Sequence, residues 1–113
     1  MNVLIVEDDE ILSDLMKCLL ESQGFNVYVS FCVEKAYFYL DKIDVVIVDS
    51  YKGREFKFAD YCKHKGMHVI YHTGRMDVTD EEHYKFDCVI QKPGFGFLVK
   101  YLNSLFNRIE LCV

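Results

Sequence analysis

Five short apolar runs, separated by segments of helical periodicity, constrain this chain more than any other feature. They are VLIVE (3–7), FNVYVS (25–30), DVVIVD (44–49), MHVIYHT (67–73) and CVIQK (88–92). Three of them are nearly unbroken aliphatics. A strand with one wet face alternates apolar and polar residues, whereas a continuous aliphatic strand is covered on both faces, as in a parallel sheet flanked by helices. Between the first two runs, Ile11, Leu12, Leu15, Met16, Leu19 and Leu20 recur at helical spacing, and Gly24 follows as a helix stop. Further helices are expected over about 33–41 and 55–65, and a last one from near Gly96 with Leu98, Leu102, Leu105, Phe106 and Ile109 on one face. Segment 75–86 is weaker, although Thr79 and Glu82 have the spacing of a capping box. Strand alternating with helix predicts an α/β fold, a three-layer doubly wound sandwich around a five-stranded parallel sheet.

The 113 residues suffice for one domain with a real core and leave little room for a second. The net charge of -5 comes with no basic stripe, which argues against non-specific nucleic-acid binding. No apolar run approaches the about 18 residues that a membrane span needs, and the N-terminus lacks the basic and small-residue features of a secretion signal. The five cysteines (Cys18, Cys32, Cys62, Cys88, Cys112) are scattered and form no CxxC pair. That pattern suits free thiols in a reducing, cytoplasmic setting and gives no zinc-finger spacing.

In a doubly wound sheet, functional groups gather at the carboxyl ends of the strands. Glu7, Asp8, Asp9 and Glu10 follow the first run, and Asp49 closes the third. Acids at a helix start are favoured by the macrodipole, which accounts for Asp9 and Glu10 but less well for Glu7 and Asp8. If the first and third strands are neighbours, Asp8 and Asp49 converge on one rim. Converging carboxylates repel unless a cation or a proton compensates, and a hard divalent ion such as Mg²⁺ suits oxygen ligands. The fourth run ends in Thr73 and the fifth in Lys92. An acid pair, a lone Asp, a hydroxyl and a Lys, each closing a different strand, are the parts of a phosphoryl-transfer site with Asp49 as nucleophile.

This ordered set, VLIVEDDE, DVVIVDS, VIYHTG and QKPGF, resembles the receiver domain of two-component response regulators over essentially the whole chain. The resemblance implies a flavodoxin-like strand order 2-1-3-4-5 and a single receiver domain over 1–113 with no effector domain. It implies Asp49 as phosphoacceptor, Thr73 as switch hydroxyl and Lys92 as the phosphoryl-binding lysine. Mg²⁺ would be held by Glu7, Asp8, Asp49 and the backbone carbonyl of Tyr51. The bond before Pro93, the only proline, is expected to be cis. A histidine kinase or phosphotransfer protein would supply the phosphoryl group, and an output protein would read it. No membrane or nucleic-acid partner is expected, and the state would be monomer or weak dimer.

The sequence also departs from the family pattern. The loop SYKGREF lacks the usual proline, and the separations from Asp49 to Thr73 (24 positions) and Thr73 to Lys92 (19) are short, so helices 3 and 4 are expected to be shortened. Val89 stands where the family has its switch aromatic; Phe86 or Tyr71 are candidates to substitute. Tyr51 and Arg75 occupy positions that tune dephosphorylation: over the site they would slow it, and pointing to solvent they would not. His72 is expected to face the other side of its strand. Three functions compete: a phosphorylation-dependent switch, a degenerate receiver acting as a phosphorylation-independent interaction module, and a haloacid-dehalogenase-type phosphatase. The last needs an Asp two positions after the nucleophile, where this chain has Tyr51.

Overall fold

The computed structural model describes residues 1–111, with side chains through Phe106. Its elements are β1 (Asn2–Val6), α1 (Glu10–Ser22), β2 (Asn26–Ser30), α2 (Val33–Ala36) continued by a 3-10 segment (Tyr37–Lys42), β3 (Val45–Val48), α3 (Arg54–His64), β4 (His68–Thr73), α4 (Asp80–His83), β5 (Cys88–Gln91) and α5 (Phe95–Leu111). The five strands pair in parallel in the order β2-β1-β3-β4-β5. This is the doubly wound α/β sandwich expected from the alternating pattern, with the flavodoxin-like strand order that the resemblance implies.

Because side chains alternate along a strand, the sheet feeds two cores. Leu4, Val6, Val46, Val48, Val69 and Tyr71 face one layer, with Phe58, Ala59 and Cys62 of α3 packed on them. Val3, Ile5, Val45, Ile47 and Ile70 face the other, against Met16 and Leu20 of α1 and Leu98 and Leu102 of α5. All four residues of β3 are buried, which explains its unbroken aliphatic sequence; each such side chain contributes about 1.5–3 kcal/mol of burial. The strand stops at Val48, and the Asp49 amide bonds the Val6 carbonyl at 3.1 Å. That bond fixes Asp49 beside the residues that follow β1.

The helices differ from expectation in two places. The segment expected to be helical over 33–41 makes one α turn and then tightens into 3-10 geometry. Tyr37 there packs edge-on against Phe58 and Tyr61, at 5.1 and 5.2 Å between ring centroids, and Leu40 reaches the core while Phe38 stays exposed. On α1 the apolar face is narrower than its sequence suggests, since Met16 and Leu20 are buried but Ile11 and Leu15 remain exposed. The α4 helix is a single turn of four residues, short as expected, and α3 runs for eleven residues, close to the span expected for it. The capping box on α4 forms as expected, with Thr79 and Glu82 bonding each other's backbone. The α5 face is buried at Leu98 and Leu102 and partly buried at Leu105 and Phe106; the Ile109 side chain and Cys112 lie outside what is described. The four other cysteines are free thiols.

Candidate functional site

Four adjacent strands deliver polar groups to a common rim: Glu7 and Asp8 from β1, Asp49 from β3, Thr73 from β4 and Lys92 from β5. Glu7, Asp8 and Asp49 bring carboxylate oxygens within 4.8 Å of one another, the one such acidic cluster among the described residues. Glu7 is buried, Asp8 exposed and Asp49 between the two. From the end of β5, Lys92 reaches across with Nζ 2.6 Å from Glu7 Oε1 and 2.8 Å from Asp49 Oδ2. The Lys92–Pro93 bond is cis. Gly94 follows with φ +49°, and a Cβ there would lie 2.5 Å from the Gln91 carbonyl oxygen and 2.6 Å from Ile90 Cγ2. Only glycine fits that turn.

The charges at the rim perturb one another. Burial pushes the Glu7 carboxyl up to about 7, opposed by Lys92 and the Asp9 amide and reinforced by Asp49. Burial lowers the Lys92 pKa, but its bonds to Asp49 and Glu7 outweigh that and hold it above its ordinary value. One ammonium thus faces three carboxylates. Glu7 Oε1 has Lys92 Nζ as its polar contact. An all-oxygen, net-negative donor set is the kind that accepts a hard divalent cation.

The loop after Asp49 departs from a simple turn. Lys52 adopts φ +56° and Gly53 φ +93°, so two successive residues lie in the left-handed region that non-glycine residues seldom occupy. The Tyr51 ring is buried against the α2–α3 core, its hydroxyl donating to the Phe31 carbonyl at 3.4 Å; burial, and then the nearby charges of Asp8, Glu7 and Asp49, raise its pKa. The Tyr51 carbonyl accepts both the Arg54 amide at 3.1 Å and Arg54 Nε–H at 3.3 Å. Both of its lone pairs are therefore in use.

Thr73 is fully buried at the end of β4 and reaches the rim through a neighbour of Asp49. Its Oγ1 lies 2.7 Å from Ser50 Oγ and accepts the Arg75 amide at 3.0 Å. Ser50 Oγ is also 2.8 Å from Tyr71 Oη, and Tyr71 in turn donates to Glu55 Oε2 at 2.7 Å. Arg75 does not extend over the acidic cluster. Its guanidinium binds both oxygens of Glu82 at 2.8 and 3.0 Å, Asp77 at 3.1 Å and Tyr71 Oη at 3.3 Å. Those contacts raise its own pKa, and the Arg75 guanidinium, followed by the Thr79 amide, lowers the Glu82 carboxyl to about 2.

Val89 is in register with Tyr71 across β4 and β5. Tyr71 therefore supplies an aromatic on the strand next to the position where the sequence lacks one, stacked on Phe86 at 4.2 Å. His72 faces the opposite layer, as expected, with Nε2 2.8 Å from the Pro93 carbonyl oxygen. Ser50 and Glu55 were not among the residues expected at the site. A Glu in the first turn of a helix ordinarily serves the macrodipole, so its burial could be read only from the tertiary contacts.

No family model matches the chain, and no curated protein matches it. Solved structures do. The chain is similar to a two-component response regulator from Clostridium difficile (TM-score 0.84, 17% identity, covering 96% of this chain and 98% of that one). It is similar to a CheY-like response regulator receiver domain protein from Methanospirillum hungatei (TM-score 0.83, 19% identity, 99% and 98% covered). It is also similar to the response regulator TrrA from Thermotoga maritima in complex with Mg(2+)-BeF (TM-score 0.80, 22% identity, 92% and 97% covered). The chain has the fold of a response-regulator receiver domain.

Proposed function

We propose that this protein is a signalling switch that accepts a phosphoryl group on Asp49 in a two-component phosphorelay. The observation that carries the reading is the rim itself: Glu7, Asp8 and Asp49 within 4.8 Å, with Lys92 bridging two of them. In the transfer, an Asp49 carboxylate oxygen attacks the donor's phosphorus, and the donor–phosphorus bond breaks with its electron pair leaving on the donor. The donor would be a histidine kinase or phosphotransfer protein. In this reading Lys92 exchanges its contact with Asp49 for one to a phosphoryl oxygen, and the Thr73 hydroxyl leaves Ser50 to donate to another.

Mg²⁺ fits the donor set, and its chemistry would be to neutralise charge on the phosphoryl oxygens and the carboxylates. Asp8 and Asp49 would hold it, with Glu7 beside them; the Tyr51 carbonyl joins only if Arg54 Nε–H releases it. In this reading Arg75 is held by Glu82, while the Tyr51 hydroxyl, bonded to the Phe31 carbonyl, stays within electrostatic reach of the three carboxylates. Regulation rather than metabolic turnover is the role this site supports.

A phosphorylation-independent interaction module is the alternative, favoured by Val89 at the switch position and by the engaged Tyr51 carbonyl. Beryllofluoride binding in Mg²⁺ separates the two. The switch predicts saturable binding by wild type and none by Asp49→Ala; identical behaviour of the two proteins rejects it.

A further inference from the structure

The chain of hydroxyls behind Thr73, buried at Thr73 and Tyr71 and half-buried at Ser50, has a fixed direction. Glu55 is 1% exposed and receives three donors: the Tyr51 amide, the Gly53 amide and the Tyr71 hydroxyl. A carboxylate so placed only accepts. The single Tyr71 proton is thus spent on Glu55, so the Ser50–Tyr71 bond must be donated by Ser50. The single Ser50 proton is then spent in turn, so the Ser50–Thr73 bond must be donated by Thr73. Arg75 agrees with this polarity at both ends, since its amide donates to Thr73 Oγ1 and its guanidinium to Tyr71 Oη.

We propose that Glu55 is a positioning residue that, through Tyr71 and Ser50, commits the Thr73 hydroxyl proton to Ser50 and so restrains the resting state. The consequence for signalling rests on the phosphoacceptor reading above. A phosphoryl group on Asp49 needs the Thr73 proton, and it must be taken from Ser50 before Thr73 can donate it. The aromatic missing at Val89 is replaced by the polar end of Tyr71, which acts without leaving its place between Phe86 and Phe56.

The polarity can be reversed by one substitution. In Glu55→Gln the amide oxygen keeps the two backbone N–H groups and the NH₂ faces Tyr71 and donates to it. Tyr71 then donates to Ser50, Ser50 to Thr73, and the Thr73 proton is released. Tyr71→Phe breaks the chain by removing one oxygen while keeping the ring stack.

The test is Mg²⁺-dependent beryllofluoride affinity of wild type, Glu55→Gln and Tyr71→Phe, each also in a Thr73→Ala background. A lost hydrogen bond predicts about 2- to 10-fold tighter binding in both variants, and no gain when Thr73 is Ala. Unchanged or weaker binding in folded variants, or a gain that survives Thr73→Ala, overturns the proposal. In metal-free protein, NMR of the hydroxyl protons reads the relay without phosphorylation: Glu55→Gln must shift the Thr73 hydroxyl resonance, and an unmoved one overturns the relay. If wild type binds no beryllofluoride yet that resonance shifts, the phosphoacceptor reading fails and the relay stands.

Discussion

Replacing Glu55 by Ala removes the acceptor shared by the Tyr51 amide at 2.9 Å, the Gly53 amide at 2.8 Å and the Tyr71 hydroxyl at 2.7 Å. Tyr51 and Tyr71 are buried, so neither donor finds bulk water without a rearrangement. A buried donor left without a partner costs about 1–3 kcal/mol. Three in one network do not add fully, and water admitted to the Gly53 end recovers part, so the expected loss is about 3–4 kcal/mol. The macrodipole at the start of α3 adds roughly 0.3–1 kcal/mol for the lost charge. Glu55→Gln keeps an acceptor for both amides and should cost only about 1 kcal/mol. Urea unfolding measures this: with an m-value of about 1.5 kcal/mol/M, the Ala variant's midpoint falls by about 2–3 M at unchanged slope. A loss below about 1 kcal/mol for Ala, or equal losses for Ala and Gln, would refute the account of Glu55 as the anchor of the loop and the relay.

Gly94→Ala places a Cβ against the Gln91 carbonyl and Ile90 Cγ2 at a positive φ. It should cost about 1–3 kcal/mol, and a thermally neutral variant would contradict the packing described. Burial lowers the His72 pKa, partly offset by its bond to the Pro93 carbonyl. Its contribution to stability is therefore full above the ordinary value of 6.5 and is lost as pH falls through the folded value; an NMR ring titration with its midpoint at or above 6.5 would oppose this. Glu82, held down to about 2 by Arg75, should stay ionised as pH passes 4.5, with its bonds to Arg75 and Thr79 lost only on further acidification. Arg75→Ala should return the Glu82 titration toward the ordinary carboxylate range.

The strands were legible because a buried parallel sheet imposes continuous aliphatics, and Val45–Val48 can satisfy no other environment. The rim was legible for the same reason, since burial of the strand leaves Glu7, Asp49 and Lys92 no place but the strand ends. Legibility failed where tertiary contact overrides local preference. Helical spacing from Val33 onward could not show that Tyr37 would pack on Phe58 and Tyr61 and draw the chain into 3-10 geometry. It could not show that Ile11 and Leu15 stay uncovered. Ser50 and Glu55 were silent because a Ser after a strand and a Glu in a first turn are ordinary there. Their role arises from Tyr71, which folding brings beside them from 16 and 21 positions away.

The central claim is that Asp49 takes a phosphoryl group in a site completed by Mg²⁺. Intact-mass measurement after incubation with a small acyl phosphate tests it directly. The account predicts the added mass of one phosphoryl group on wild type in Mg²⁺, none after chelation of the metal, and none on Asp49→Ala. No added mass on wild type, or the same addition on Asp49→Ala, would contradict it.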